Sequence, residues 1–112
     1  MQKIYRLSHN SSFQYIFRNG QKFHSDILIL FATKAANLKL GVSVSKKVGN
    51  SVVRSKTKRR IKEAFRQLIP QTQKGYNFVV VAKEEITKVG YTEILQTLQN
   101  LLTKAGLTGD AQ

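Results

Sequence analysis

The stretch Ser43-Val-Ser-Lys-Lys-Val-Gly-Asn-Ser-Val-Val-Arg-Ser-Lys-Thr-Lys-Arg-Arg-Ile-Lys-Glu-Ala-Phe-Arg66 combines a dense block of positive charge with a helical apolar pattern. Between Lys46 and Arg66 lie nine of the 19 lysines and arginines of the chain, against a single acid, Glu63. A charge block this dense normally stays unfolded. From Ser51 onward, however, apolar residues recur at helical spacing. The sequence therefore predicts a helix that packs on a core and presents cations at fixed positions.

The segments on either side of this helix predict a single-domain α+β fold in the order α-β-β-β-α-β-α. A first helix is capped by Asn10 and ended by Gly20. The strand at 27–34 is apolar on both faces, which indicates a central strand. The predicted elements are a helix at 10–20, strands at 21–24, 27–34 and 38–45, the basic helix at 51–69, a strand at 77–83 and a helix at 91–104.

The composition excludes several classes of protein. With 112 residues and 41% hydrophobic content, the chain suits one globular domain, and a net charge of +13 indicates a nucleic acid or an anionic surface as partner. The apolar run Ile27 to Ala32 is far shorter than the roughly 20 residues of a membrane span. The sequence starts without the apolar segment of a signal peptide and contains no cysteine. We therefore expect a cytoplasmic protein with no membrane association.

The acids and histidines do not predict a catalytic centre or a metal site. The six acids are Asp26, Glu63, Glu84, Glu85, Glu93 and Asp110. Two-metal nucleases need several converging carboxylates, and only Glu84 and Glu85 are adjacent. Neither His9 nor His24 has a neighbouring acid to orient it. We expect no catalytic residue in this chain.

The exposed side of the basic helix indicates binding to a polyanion. Arg54, Lys58, Lys62 and Arg66 follow one another at i, i+4, and Lys56, Arg59 and Arg60 lie on the far side. Each like-charge pair at this spacing is destabilising by about 0.2–0.5 kcal/mol. A solvated face usually mixes charges of both signs, which this helix does not. Because its charged positions are basic except for Glu63, the helix suits backbone contact with a folded RNA better than base reading in DNA.

Two further features adjoin this helix. Gly49 and Asn50 can take a positive φ, and their N–H groups would form a phosphate site at the helix N-terminus. Phe13, Phe17 and Phe31 would by default be core residues. Beside a row of cations they could also stack single-stranded bases. The residues alone leave both interpretations open.

The segment Lys46-Lys47-Val48-Gly49-Asn50-Ser51-Val52-Val53-Arg54 and its continuation Lys58-Arg59-Arg60-Ile61-Lys62-Glu63-Ala64-Phe65-Arg66 resemble the basic signature of the bacterial ribonuclease P protein subunit. The resemblance covers nearly the whole chain. It includes Arg6-Leu7, Phe13 with Phe17, the segment 40–45 and Gly75-Tyr76-Asn77. Ser55 and Lys56 stand where the family pattern has Asn and Arg. Lysine keeps the charge but loses the planar fork of arginine.

The resemblance implies a small protein that assists a catalytic RNA in removing the 5′ leader of precursor tRNA. It implies Mg²⁺ held mainly by the RNA, a monomeric protein in a 1:1 ribonucleoprotein, and a left-handed β-α-β crossover around the basic helix. It places RNA docking at Lys46, Lys47, Asn50, Arg54, Lys56 and Arg59, and Lys58, Arg60, Lys62 and Arg66 complete the predicted RNA-binding set. The predicted leader cleft consists of Phe13, Phe17, Phe31, Lys58 and Lys62. Residues 1–105 would form the RNA-binding domain and 106–112 a disordered tail.

Two other functions make similar demands on composition. A ribosomal or ribosome-assembly protein would bind RNA without any role in cleavage. A protein-only ribonuclease is disfavoured because the acids are not grouped. The first of these alternatives differs from the leader-binding subunit in one structural respect: whether a cleft beside Lys58 and Lys62 is open and aromatic or filled by core side chains.

Overall fold

The computed structural model describes residues 6–7 and 10–108 and confirms the predicted α+β order. Every boundary of the main elements lies within two residues of the predicted one. The elements are α1 Asn10–Asn19, β1 Gln21–His24, β2 Leu28–Lys34, β3 Lys39–Ser43, α2 Ser51–Leu68, β4 Tyr76–Ala82 and α3 Tyr91–Lys104. Two short 3-10 helices, Ile69–Gln71 and Glu84–Lys88, were not predicted. Of the helices described, none is long and apolar enough to cross a membrane.

The four strands form one mixed sheet in the order β1-β2-β4-β3. β2 pairs antiparallel with both β1 and β4, which confirms its central position. β3 pairs parallel with β4, with Leu40 opposite Phe78 and Val42 opposite Val80. Parallel neighbours need a crossover connection, and α2 provides it. The left-handedness of that crossover stays a prediction.

The two faces of the sheet carry separate apolar clusters, as the pattern of β2 predicted. One face packs against α2 and α3, and its fully buried side chains include Leu30, Phe78, Ile61, Phe65 and Leu98. The other face packs against α1 in a smaller cluster formed by Leu7, Ile16, Phe31 and Val79. Both faces of β2 and β4 are therefore covered, and the apolar cluster on the α1 face is the smaller of the two.

Helix α2 packs with the predicted face toward the sheet. Thr57, Ile61, Ala64, Phe65 and Leu68 are its buried residues. The helix ends one residue earlier than predicted. Proline has no N–H group to offer to the carbonyl four residues back, so the Ile69 N–H bonds to the Arg66 carbonyl instead and the chain tightens into the Ile69–Gln71 turn.

The C-terminal segment differs from the predicted tail. After α3, Gly106 takes a φ of +74°, and the Leu107 N–H donates to the Leu102 carbonyl at 2.9 Å. This is the bonding of a Schellman turn, which directs the next apolar residue back onto the helix. Leu107 is accordingly 4% exposed within the main cluster, and its carbonyl accepts from Gln73. Residues 106 and 107 therefore belong to the folded domain, and residues 109–112 of the predicted tail lie outside the described part of the chain.

Candidate nucleic-acid interface

The turn into α2 is held by Asn50 in a way that corrects the sequence-based expectation. Asn50 has a φ of −72°, and its Oδ1 accepts a hydrogen bond from the Val53 N–H at 3.0 Å. Among the described residues, the one with positive φ is Gly106, so neither Gly49 nor Asn50 uses that conformation. A glycine is needed at 49 because a Cβ there would lie 2.7 Å from Val53 Cγ1. Asn50 therefore caps the helix, and its contact with RNA stays a prediction.

The cations of the predicted RNA-binding set lie along this turn and α2, with different degrees of exposure. Those that are exposed are Lys46, Lys47, Lys56, Lys58, Arg59 and Arg66, and those that are partly buried are Arg54, Arg60 and Lys62. The Arg54 Nε atom is fully occluded and has no hydrogen-bond partner among the described residues. Part of that guanidinium thus lies against the protein.

Arg66 differs from the other members of the stripe because it is paired. Its Nε donates to Glu63 Oε1 at 3.2 Å, and its Nη2 contacts Glu63 Oε2. The hydrogen bond from Arg66 lowers the pKa of Glu63, and the same contact raises the pKa of Arg66. The charge available to a polyanion therefore decreases at the C-terminal end of the stripe.

A concentrated cationic patch lies where the N-terminal segment meets the middle of α2. Leu7 donates its N–H to the Leu40 carbonyl at 2.9 Å, so that Arg6 runs beside β3. Burial lowers the pKa of Lys62, and the charges of Arg6 and Lys58 lower it further. Crowded, partly desolvated cations favour an anionic ligand that restores the charge balance. The sequence did not predict that Arg6 belongs to this patch, because a long-range backbone pairing brings it there.

The three predicted cleft aromatics form a continuous row on the α1 face of the sheet. The ring centroids of Phe13 and Phe17 are 6.3 Å apart, and Phe17 meets Phe31 edge-on at 5.1 Å. Phe17 is 38% exposed, whereas Phe31 is 9% exposed and supports it from below. The Lys22 Nζ lies 5.8 Å from the centroid of the Phe31 ring. Phe31 therefore packs in the α1-face cluster, and Phe17 presents the exposed ring.

A shallow cleft connects these aromatics to α2. Its volume is about 310 Å³, and its walls include Phe13, Phe17, Ser43 and Lys58. Gly41 makes room for the Phe13 ring at this cleft, because a Cβ there would lie 2.5 Å from Phe13 Cζ. The structure thus brings together Phe13, Phe17 and Lys58. Phe31 lies beneath the cleft, and Lys62 lies one turn further along α2.

The remaining polar candidates in the described part of the chain are one histidine and several acids. His24 and Asp26 are exposed near the β1–β2 turn, and Glu84 and Glu85 are exposed at the start of the Glu84–Lys88 helix. In the described ranges 6–7 and 10–108, no three His, Cys, Asp or Glu side chains come together as a metal site would require. His9 and Asp110 lie outside these ranges.

Comparisons with known proteins point in one direction. Residues 1–106 match the sequence profile of the family described as Ribonuclease P. The ribonuclease P protein component of Clostridium beijerinckii is 40% identical, over 93% of this chain and 90% of that protein. That of Clostridium botulinum strain Eklund 17B is 42% identical, over 97% and 94%.

Solved structures are similar over most of their length. The RNase P protein of Staphylococcus aureus superimposes with a TM-score of 0.84 at 28% identity, covering 93% of this chain and 97% of that one. The Thermotoga maritima protein gives a TM-score of 0.80 at 28% identity, covering 88% and 96%. A Staphylococcus aureus variant described as defective in mRNA degradation activity gives 0.85 at 29% identity, covering 94% and 91%.

Proposed function

The chain belongs to the ribonuclease P protein family, and from this premise we propose that it is the protein subunit of a ribonuclease P that removes the 5′ leader of precursor tRNA. The observation that carries the proposal is the open cleft in which Phe13 and Phe17 meet Lys58. Stacking on aromatic rings beside cations is how proteins bind single-stranded RNA without strict sequence preference. A 5′ leader is such a strand.

The two surfaces have separate tasks in this proposal. The exposed cations of the 46–47 turn and of α2 bind phosphates of the catalytic RNA, while the cleft beside α1 holds the leader. Lys58 lines the cleft, and the charges of Lys58 and Arg6 both act on Lys62, so a leader phosphate would relieve their mutual repulsion. A ribosomal protein that binds only folded RNA has no need of an exposed Phe17, and this favours the leader-binding subunit over that alternative.

Magnesium does not fit the described residues of this chain. The described residues contain no cluster of three potential ligands, and hard divalent cations need several oxygen ligands. We therefore assign Mg²⁺ to the RNA, and the protein binds and positions its two RNA partners as a monomer in a 1:1 complex. A cytoplasmic location stays a prediction.

Reconstitution tests the proposal directly. Protein alone, RNA subunit alone and the mixture are incubated with precursor tRNA and magnesium, and the 5′ end of the product is mapped. We expect the mixture to produce mature 5′ ends and the protein alone to leave both precursor tRNA and a control mRNA intact. Specific 5′ cleavage by RNA-free protein would contradict the proposal, and a mixture no better than the RNA alone would also do so.

The docking surface has its own test in the triple variant Arg54→Ala, Lys56→Ala, Arg59→Ala. We expect weaker binding of the RNA subunit, with the slope of log affinity against log salt reduced by about 0.7–0.9 for each phosphate that the protein no longer neutralises. The matched control removes three exposed lysines outside the predicted set, Lys34, Lys88 and Lys104. If both triple variants change the slope equally, only net charge matters and the assigned surface is wrong.

A further inference from the structure

A second cavity lies on the other flank of α2, between that helix, the Glu84–Lys88 helix and α3. Its volume is about 190 Å³. Ile86 and Ile94, which are 2% and 1% exposed, contribute apolar walls together with Val53. The cavity is separate from the leader cleft, because Lys56 lines this one and Lys58 the other. Residues two apart on a helix point about 200° apart.

The size and walls of this cavity suit one flat ring. A dry apolar cavity of about 150 Å³ holds a benzene molecule, whereas pockets for drug-sized ligands start at about 300 Å³. A cavity of about 190 Å³ is therefore large enough for a single nucleobase and too small for a dinucleotide.

The charge around the cavity indicates what the ring is attached to. Lys56 and Arg60 line it one helical turn apart, and Lys56 is exposed. The described residues that line the cavity include no acid. Among the described residues the one ion pair is Arg66 with Glu63. No described acid therefore pairs with Lys56 or Arg60, and both can bind an anionic ligand. An aromatic ring that carries a phosphate satisfies both the walls and the charges.

The two threonines that line the cavity indicate which bases fit. The Thr57 hydroxyl donates to the Val53 carbonyl at 2.8 Å, and the Thr87 hydroxyl donates to the Glu84 carbonyl at 3.0 Å. Each hydroxyl has one proton and two lone pairs. With their protons engaged, both oxygens can act only as acceptors toward a ligand. Two such acceptors match the two N–H bonds of one exocyclic amino group, whereas a uracil ring offers a single N–H, so they favour an amino-bearing base.

We propose that this cavity receives one unstacked, amino-bearing nucleobase of the catalytic RNA, with its phosphate held by Lys56 and Arg60. The inference rests on the proposed function, since it adds a base contact to the docking surface. Docking would then depend on an apolar contact as well as on phosphates. The two components differ in salt dependence, because burial of a base releases no counterion.

The direct test uses the unmodified chain and two nucleotides that differ in the hydrogen-bonding edge of the ring. Cytidine and uridine 5′-monophosphate carry the same phosphate, but only the first has an exocyclic amino group. We expect the first to shift the NMR methyl signals of Thr57, Thr87 and Ile94 at millimolar concentration, and the second to shift them far less. Equal shifts from both nucleotides, or no shift at these methyls, would overturn the proposal.

A cavity-filling variant tests the same contact in the complex with the RNA subunit. Thr87 lines the cavity and is exposed, so Thr87→Phe can place a ring in it without changing the charge. We expect affinity for the RNA to decrease roughly 10- to 150-fold, as for the loss of one buried apolar ring, with the salt slope reduced by no more than the roughly 0.7–0.9 of one phosphate. Thr103→Phe, exposed near the end of α3, is the matched control and should bind as the unmodified chain does.

The outcomes separate this inference from the proposed function. If Thr87→Phe binds RNA normally while the Arg54, Lys56, Arg59 triple variant does not, the cavity proposal is wrong and the docking surface stands. If the unmodified chain does not bind the RNA subunit, the proposed function fails. The nucleotide titration then still decides whether the cavity accepts a base, and it also decides the matter if Thr87→Phe does not fold.

Discussion

Each face of the sheet carries one aromatic pair that joins a helix to a strand, and the two pairs differ in exposure rather than in geometry. On the α2/α3 face, Phe65 and Phe78 have ring centroids 5.3 Å apart and both are 0% exposed. On the α1 face, Phe17 and Phe31 are 5.1 Å apart, and Phe17 is 38% exposed. The distances between the rings are similar, but only the Phe65–Phe78 pair is fully buried.

The lengths of the covering helices explain this difference. The α2/α3 face is covered by helices of 18 and 14 residues, whereas the α1 face is covered by one helix of 10. A single short helix cannot cover a four-stranded sheet, so part of the aromatic surface stays open. One face can therefore supply most of the stability, while the other leaves apolar area available for a ligand.

The largest expected effect is on the free energy of unfolding of Phe65→Ala. Removing a fully buried phenylalanine side chain costs about 3–5 kcal/mol. The matched substitution Phe17→Ala should cost about 1 kcal/mol or less, because much of that ring already lies in water. Urea denaturation of both variants measures the difference. Equal losses would mean that the two faces do not differ as their exposures indicate.

The second prediction concerns binding by Phe17→Ala in the complete ribonucleoprotein. We expect affinity for precursor tRNA to fall by about 1–3 kcal/mol, the loss of one stacked base, while mature tRNA, which has no leader, binds unchanged. Phe31 is less suitable for this test because it is buried and its removal would also destabilise the fold. Equal weakening for both tRNAs would place the leader elsewhere.

The third prediction concerns Lys62, whose pKa is lowered by burial and then by Arg6 and Lys58. Because this pKa is lower in the folded protein, the unfolded chain binds more protons than the folded one between the lowered pKa and the ordinary value of 10.5. Stability therefore rises with pH across that window. Lys62→Gln should remove this rise. At pH 7 it should stabilise the protein by less than about 1 kcal/mol, because solvent screens the repulsion, while precursor tRNA binds more weakly.

Lys104→Gln is the control for this effect. Lys104 is exposed in the last turn of α3, where a cation favours the helix. Its replacement should lower stability slightly and leave binding unchanged. If Lys62→Gln also lowers the melting temperature, the charges of Arg6 and Lys58 do not destabilise the protein through Lys62, and the prediction is wrong.

The smallest expected effect is that of Glu63→Gln, which releases Arg66 from its ion pair. We expect tighter binding of the RNA subunit and a salt slope steeper by at most about 0.7–0.9, the value for one more neutralised phosphate. The pKa of Glu63 is lowered from its ordinary 4.5 by the Arg66 hydrogen bond. Its small stabilising effect is therefore present above that value and lost as the pH falls through the lowered pKa. An unchanged salt slope would exclude Arg66 from the docking surface.

The candidate site was predictable to the extent that it depends on α2. The cations recur along one predicted helix, so their placement on its exposed surface follows from helical periodicity alone. The pairing of Arg66 with Glu63 follows from the same spacing. Phe31 illustrates the limit, because alternation assigns it to a face of β2 but does not show that Phe17 covers it. The second cavity was not predicted either, since the Glu84–Lys88 helix that closes it has no strong local pattern.

The sequence by itself determined the order of the elements, the faces of β2 and α2 that are buried, and the basic surface, because each depends on the spacing of residues within one segment. Only the tertiary structure decided the strand order, with β4 between β2 and β3, and the positions of Arg6 beside Lys62 and of Leu107 in the core. These features depend on pairings between segments far apart in the chain. Local periodicity restricts such pairings but does not select among them, because the choice is made by the packing of the whole domain.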